Sequence, residues 1–137
     1  MSSLNIPRSV KVAKRRIATT LTTMQLTKLS FYFMSLFRFE HRPERKELLV
    51  FISTPQFTAA TVPEFKVAFE SAWKPEISRV VLDLSTIEFM DSSGVGALLG
   101  VQKRLSSLGE PLTLKGARPA VVGVIELLRL QRVFKME

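Results

Sequence analysis

From residue 48 to the end of the chain, apolar residues fall into two alternating spacings. LLVFI at 48–52 is a short apolar run rich in strand formers, and STPQFT behind it supplies turn chemistry, so a first strand is predicted there. From Thr61 the spacing changes. In TVPEFKVAFESAW the apolar residues Val62, Phe65, Ala68 or Phe69, and Ala72 or Trp73 recur every three or four positions, as one face of a helix requires. Thr61 with Glu64 fits a capping box, Pro63 is tolerated in the first turn, and Lys74-Pro75 ends the helix. VVLDL at 80–84 is almost unbroken apolar sequence, which suits a strand covered on both faces in a parallel or mixed sheet.

STIEFMD then forms a connection. SSGVGALLGVQKRLSSLG reads as a second helix, with Val95, Leu98, Leu99, Gln102, Leu105 and Leu108 on one side and Gly109 where a left-handed C-cap is wanted. PLTLK predicts a third strand and Pro119 to Leu130 a third helix, with Val133 to Lys135 pairing at the sheet edge. The β-α-β-α-β-α order with short connections predicts the α/β class, a single domain whose helices pack on a mixed sheet.

Composition changes this picture at one end only. The 137 residues are 46% hydrophobic, enough for one core, and the formal net charge is +8. Residues 1–39 hold seven of the 20 basic residues and no acidic one, leaving 13 basic against 12 acidic in 40–137. The body is therefore nearly neutral and offers no basic face for direct nucleic-acid binding. The domain expectation is a basic N-terminal extension over 1–39 and a folded domain over 40–137. The extension shows no sustained period, and its apolar run Leu29 to Phe37 is too short to span a bilayer. It reads as disordered or as a non-native start, with translation beginning at Met24 or Met34. A surface segment touching a membrane interface and a transit peptide are the alternatives.

Several chemistries are excluded. Absence of cysteine removes disulfides, thiolate catalysis and sulfur-ligated zinc, and the single histidine, His41, removes histidine metal clusters. A Ser-His-Asp triad would need His41, which lies in the charged stretch FEHRPERKE. GVGALLG superficially resembles a dinucleotide fingerprint, but seven residues separate Leu84 from Ser92, whereas that motif follows its strand at once. No GK[ST] completes a phosphate loop, and Met90 or Asp91 stands where a hydrolase elbow needs its first glycine. No cofactor or metal site and no catalytic residue is expected.

What remains is IEFMDSSG at 87–94, an acid and two hydroxyls between a strand-like and a helix-like run. A helix start has backbone N–H groups without partners and a partial positive charge. One serine can cap it, and a phosphate on the other would be tolerated there while adding about −1.5 to −2 charges. Ser92 is the expected switch and Ser93 the expected cap. Met90 is expected to face a partner through its adaptable thioether, while Phe89 is expected to tuck under the loop. Gly96 and Gly100, four apart, are expected to let the helix approach the sheet or a partner closely.

VVLDLSTIEFMDSSGVGALLGVQKRL resembles the signature region of the STAS domain, and in particular of the bacterial anti-sigma factor antagonists. The resemblance spans roughly residues 48–137. It implies that Ser92, directly after Asp91, is the phosphorylation site, and that Met90, Asp91, Ser93, Gly94 and Thr58 belong to the partner-binding surface. It also implies a non-enzymatic, cytoplasmic partner switch in transcription. The unmodified protein binds an anti-sigma factor that is itself a serine kinase and so frees a sigma factor; phosphorylation of Ser92 breaks the complex and a phosphatase restores it. Where the family commonly has a GxxD turn, this chain has PQFT, with Pro55 for the glycine and Thr58 for the aspartate. The second function consistent with the resemblance is an accessory subunit of a membrane transport system for lipid or anion.

Overall fold

The computed structural model describes residues 36–137, and the readings made for the segment before Leu36 lie outside the described residues. The strands are β1 (Phe37–Arg42), β2 (Glu47–Ile52), β3 (Gln56–Phe57), β4 (Arg79–Asp83), β5 (Phe89–Met90), β6 (Thr113–Lys115) and β7 (Lys135–Met136). The helices are α1 (Val62–Ala72), α2 (Ser92–Ser106) and α3 (Pro119–Leu127). Among the described residues, five strands form the main sheet in the order β1-β2-β4-β6-β7, with β1 antiparallel to β2 and the rest parallel. The α/β architecture and the three predicted helices are thus present.

Among the described residues the first strand is β1, not LLVFI, and it begins at Phe37 inside the span read as extension. FRFEHR alternates: Phe37 pairs with Ile52 and Phe39 with Val50 on the covered face, while Arg38 and Glu40 point the other way. A 3-10 turn over Pro43–Arg45 closes the hairpin, and Lys46 completes it with a left-handed backbone, φ 52°. His41 donates through Nε2 to the Ala72 carbonyl at 2.8 Å, which ties β1 to the end of α1.

From β2 to β4, from β4 to β6 and from β6 to β7, the chain steps one place across the sheet in the same direction. Right-handed crossovers then put every connecting helix on one face. Burial follows: Leu48, Val50, Ile52, Val80, Leu82 and Leu114 are buried, whereas Leu49, Phe51 and Val81 on the opposite face are half-buried. Among the described residues, VVLDL is therefore covered by helices on one face only. Its near-continuous apolar character is divided between a packed core and a partly open floor.

α1 packs through Val62, Phe65 and Phe69. Phe65 stands between Phe37 at 5.5 Å and Phe57 at 5.1 Å, both edge-on, and Phe69 continues the row to Trp73 at 5.7 Å. Edge-on aromatic pairs add about 0.5–1.5 kcal/mol beyond area burial, so this row is a main anchor between helix and sheet. The capping box is not formed. Thr61 Oγ1 accepts from the Thr58 amide at 3.1 Å and donates to the Gln56 carbonyl at 2.9 Å, bracing the loop rather than the helix.

α2 buries Val95, Ala97, Leu98, Val101 and Leu105. Leu99 and Leu108, expected inside, are exposed; Gln102 instead accepts the Leu112 amide at 2.7 Å and pins the start of β6. Gly109 has φ 78°, the left-handed conformation its position required. Gly96 and Gly100 do not bring the helix close to the sheet: a Cβ on either would meet nothing within 4 Å.

Candidate functional site

The segment 85–91 connecting β4 to α2 is ordered from underneath by Ile87, which is fully buried, and by the pairing of β5 with β3. The Pro55 carbonyl accepts the Glu88 and Phe89 amides at 2.7 and 3.0 Å. PQFT therefore lies alongside EFMD, with Gln56 opposite Phe89 and Phe57 opposite Met90. Thr58, the departure from the family pattern, falls at the site and is half-buried.

In this two-residue strand the side chains alternate the opposite way from the expectation. Met90 is 2% exposed and belongs to the core, so it is not a partner contact; Phe89 is 55% exposed and lies on the surface. A two-residue strand has too little pattern for sequence alone to tell which residue faces in. The signal was the Phe57–Met90 register, which only the parallel pairing of β3 and β5 supplies.

The cap of α2 is Asp91, not Ser93. Its Oδ1 accepts the Gly94 amide at 3.0 Å, the usual N-cap geometry, and its Oδ2 accepts the Ala59 amide at 3.1 Å. One carboxylate thus joins the first turn of α2 to the loop that precedes α1. The Gly94 hydrogen bond, followed by those from Ala59 and Ser93, holds the Asp91 carboxyl below its ordinary value, against the opposing effect of desolvation. With Asp91 as cap, Ser92 is the first residue of the helix and is exposed, and Ser93 is half-buried.

Gly94 fixes the distance between these parts. A Cβ there would overlap the Phe57 carbonyl oxygen and lie 2.6 Å from Met90 Cγ, so only glycine lets α2 sit this close to β3 and β5. Gly94 itself is buried and supports the site rather than facing outward. The structure therefore brings Thr58, Asp91, Ser92 and Ser93 to one place, places Met90 and Gly94 beneath it, and adds Phe89, which the sequence reading had assigned to the interior.

Among the described residues, no group of three or more His, Cys, Asp or Glu side chains could hold a metal, and no helix is long and apolar enough to cross a membrane. Ser92 thus presents an exposed hydroxyl in the first turn of α2, next to the Asp91 carboxylate with its lowered pKa.

Solved structures similar to this one share its fold. A protein from Thermotoga maritima, described as a putative anti-sigma factor antagonist, is 20% identical over 77% of this chain and 88% of its own, with a TM-score of 0.66. A STAS domain protein from Planctomyces limnophilus is 19% identical over 73% of this chain and 87% of its own, also at 0.66. The anti-sigma factor antagonist SpoIIAA in its unphosphorylated form is 20% identical over 74% and 86%, at 0.58; its phosphorylated form, from Bacillus, is similar at 0.53. The family model of the STAS domain matches residues 39–137, from the second residue after the start of β1 through the last strand. This chain belongs to the STAS domain family.

Proposed function

We propose that this protein is an anti-sigma factor antagonist, a non-catalytic binding module of the cytoplasm whose affinity is set by phosphorylation of Ser92. In the unmodified state it binds an anti-sigma factor that is a serine kinase, and the sigma factor held by that kinase is released to transcription. Phosphate on Ser92 ends the complex, and a phosphatase returns the protein to its binding state.

The observation that carries this reading is the division of labour between Asp91 and Ser92. Because Asp91 already satisfies the Gly94 amide, the Ser92 hydroxyl is not needed to cap the helix. It stands exposed in the first turn, where the remaining unpaired N–H groups and the helix dipole favour an anion. A phosphate there leaves the fold intact while placing a dianion beside Asp91 and the exposed Phe89, on the surface meant for an apolar partner. Like-charge repulsion and desolvation at such a contact disfavour binding strongly. That SpoIIAA has both a phosphorylated and an unphosphorylated form supports the reading by analogy of fold.

Incubation of the full chain with ATP and a serine-kinase anti-sigma factor encoded in the same genome tests the modification. The expected product carries one phosphate, on Ser92, by peptide mass spectrometry. Phosphate on Ser93 instead, or none with an active kinase, would contradict it.

A further inference from the structure

Helix α3 ends on an arginine where the backbone favours glycine. The Arg129 amide donates to the Glu126 carbonyl and the Leu130 amide to the Ile125 carbonyl, both at 2.9 Å, the paired bonds of a Schellman cap, and Arg129 takes the left-handed conformation with φ 58°. Arginine there carries a backbone cost that glycine avoids, so the cap itself does not account for the side chain. Leu130 folds back against the core, whereas Leu127, 81% exposed, and Leu128, 47% exposed, stay on the outside of the turn, followed by the exposed Arg132 and Val133. Residues 127–134 contain no acidic residue, and among the described residues neither Arg129 nor Arg132 forms an ion pair.

α3 follows β6 and returns to the start of the parallel β7, so this turn lies at the end of the sheet away from Ser92. The Lys135 amide donates to the Leu112 carbonyl at 2.8 Å, which brings the last turn of α2, with the exposed Leu108 and Lys103, to the same end. Glu126 and Glu110 are the carboxylates nearest in sequence to these turns, against Lys103, Arg129 and Arg132. At the other end, the loops over 53–61 and 85–91 that meet at the site hold Glu88 and Asp91 and no Lys or Arg. The α3 end is the apolar and basic one.

We propose that this end of the domain contacts the surface of an anionic phospholipid bilayer. Leu127 and Leu128 enter the interface, and the long side chains of Arg129 and Arg132 keep their guanidinium groups among the headgroup phosphates. Shape favours a bilayer over a protein, since a leucine 81% exposed on a protruding turn needs a matching hollow in a folded partner, whereas lipid closes round it. Charge favours anionic over zwitterionic lipid, because each cation near such a surface strengthens binding about fivefold. The contact leaves Ser92 facing away from the bilayer and does not depend on the role given to that residue.

Flotation of the full chain with phosphatidylcholine vesicles containing about 30% phosphatidylglycerol, against phosphatidylcholine alone, tests the proposal. The chain is expected to float with the anionic vesicles only. Residues 1–35 hold six basic residues and attract anionic vesicles on charge alone, so the decisive comparison is with variants. The Leu127→Ser, Leu128→Ser protein is expected to bind at least about tenfold more weakly, and the Arg129→Asn, Arg132→Gln protein about 25-fold more weakly. Asparagine tolerates the left-handed conformation, so the thermal midpoint should not fall. Absence of flotation overturns the proposal, as do equal binding to phosphatidylcholine vesicles and flotation that the leucine variant leaves undiminished. Self-association abolished by the leucine variant, in the absence of flotation, would give the face to a second copy of this chain instead.

Discussion

Alanine placed at Gly94, Gly96 or Gly100 meets three different surroundings on one helix, and stability should separate them. Gly96 and Gly100 are exposed interior positions of α2 where a Cβ meets nothing within 4 Å. Each glycine there costs about 0.8–1 kcal/mol relative to alanine, through the backbone freedom it loses on folding, and no packing contact offsets that cost. Gly96→Ala and Gly100→Ala should therefore each stabilise by about that amount, raising the thermal midpoint by about 4–8 °C for a domain of this size. Gly94→Ala forces its methyl against the Phe57 carbonyl and Met90 Cγ, and the buried backbone of β3 has no room to yield. It should destabilise by about 1–3 kcal/mol, the usual range for overpacking.

The assay is urea unfolding followed by the fluorescence of Trp73, the only tryptophan, which lies at the end of the aromatic row. With slopes of about 1–3 kcal/mol per molar urea, both effects move the midpoint measurably and in opposite directions. A lowered midpoint for Gly96→Ala or Gly100→Ala would refute the open environment assigned to those positions. An unchanged or raised midpoint for Gly94→Ala would refute the close contact of α2 with β3 and β5.

Two further outcomes follow from the same site. Asp91 has a folded pKa below its unfolded value, so its contribution is fully present above the unfolded value, near 3.8, and is lost as pH falls through the folded one. Asp91→Asn should therefore remove part of the acid sensitivity below about pH 4 in urea midpoints measured across that range; identical pH profiles for the two proteins would show that the carboxylate is not held as described. Phe89 and Met90 should behave oppositely: Met90→Ala should cost about 2–5 kcal/mol by emptying a core position, whereas Phe89→Ser should change stability by less than about 0.5 kcal/mol and weaken partner binding.

The sequence made α1, α2 and the central strands legible because their apolar spacing and their terminators agree. β1 was hidden because it is an edge strand with one open face: the charges Arg38, Glu40 and Arg42 that occupy that face make FRFEHR read as a polar leader, although Phe37, Phe39 and His41 alternate with them. The overall layering was legible for VVLDL only in part, since continuous apolar character does not say how many faces a helix covers. That depends on the direction in which successive strands are added, which is a property of the whole topology.

At the site, the position of Ser92 at a helix start was readable from the change of period after Asp91. Which of Asp91, Ser92 and Ser93 caps the helix was not, because all three residue types cap well and the choice shifts with one residue of helix boundary. The structure decides for Asp91 through a second partner, the Ala59 amide, 32 residues away in sequence. Thr58 and Phe89 were likewise placed by the β3–β5 pairing, a contact between two-residue strands that carry almost no periodicity of their own.

The central claim rests on Ser92, and titration calorimetry of a serine-kinase anti-sigma factor from the same genome against Ser92→Ala and Ser92→Asp proteins tests it most directly. The Ser92→Ala protein should bind within about threefold of the unmodified chain, and the Ser92→Asp protein at least about 100-fold more weakly, a difference of about 2.7 kcal/mol. Equal affinity of the two variants, with both folded, would contradict the account.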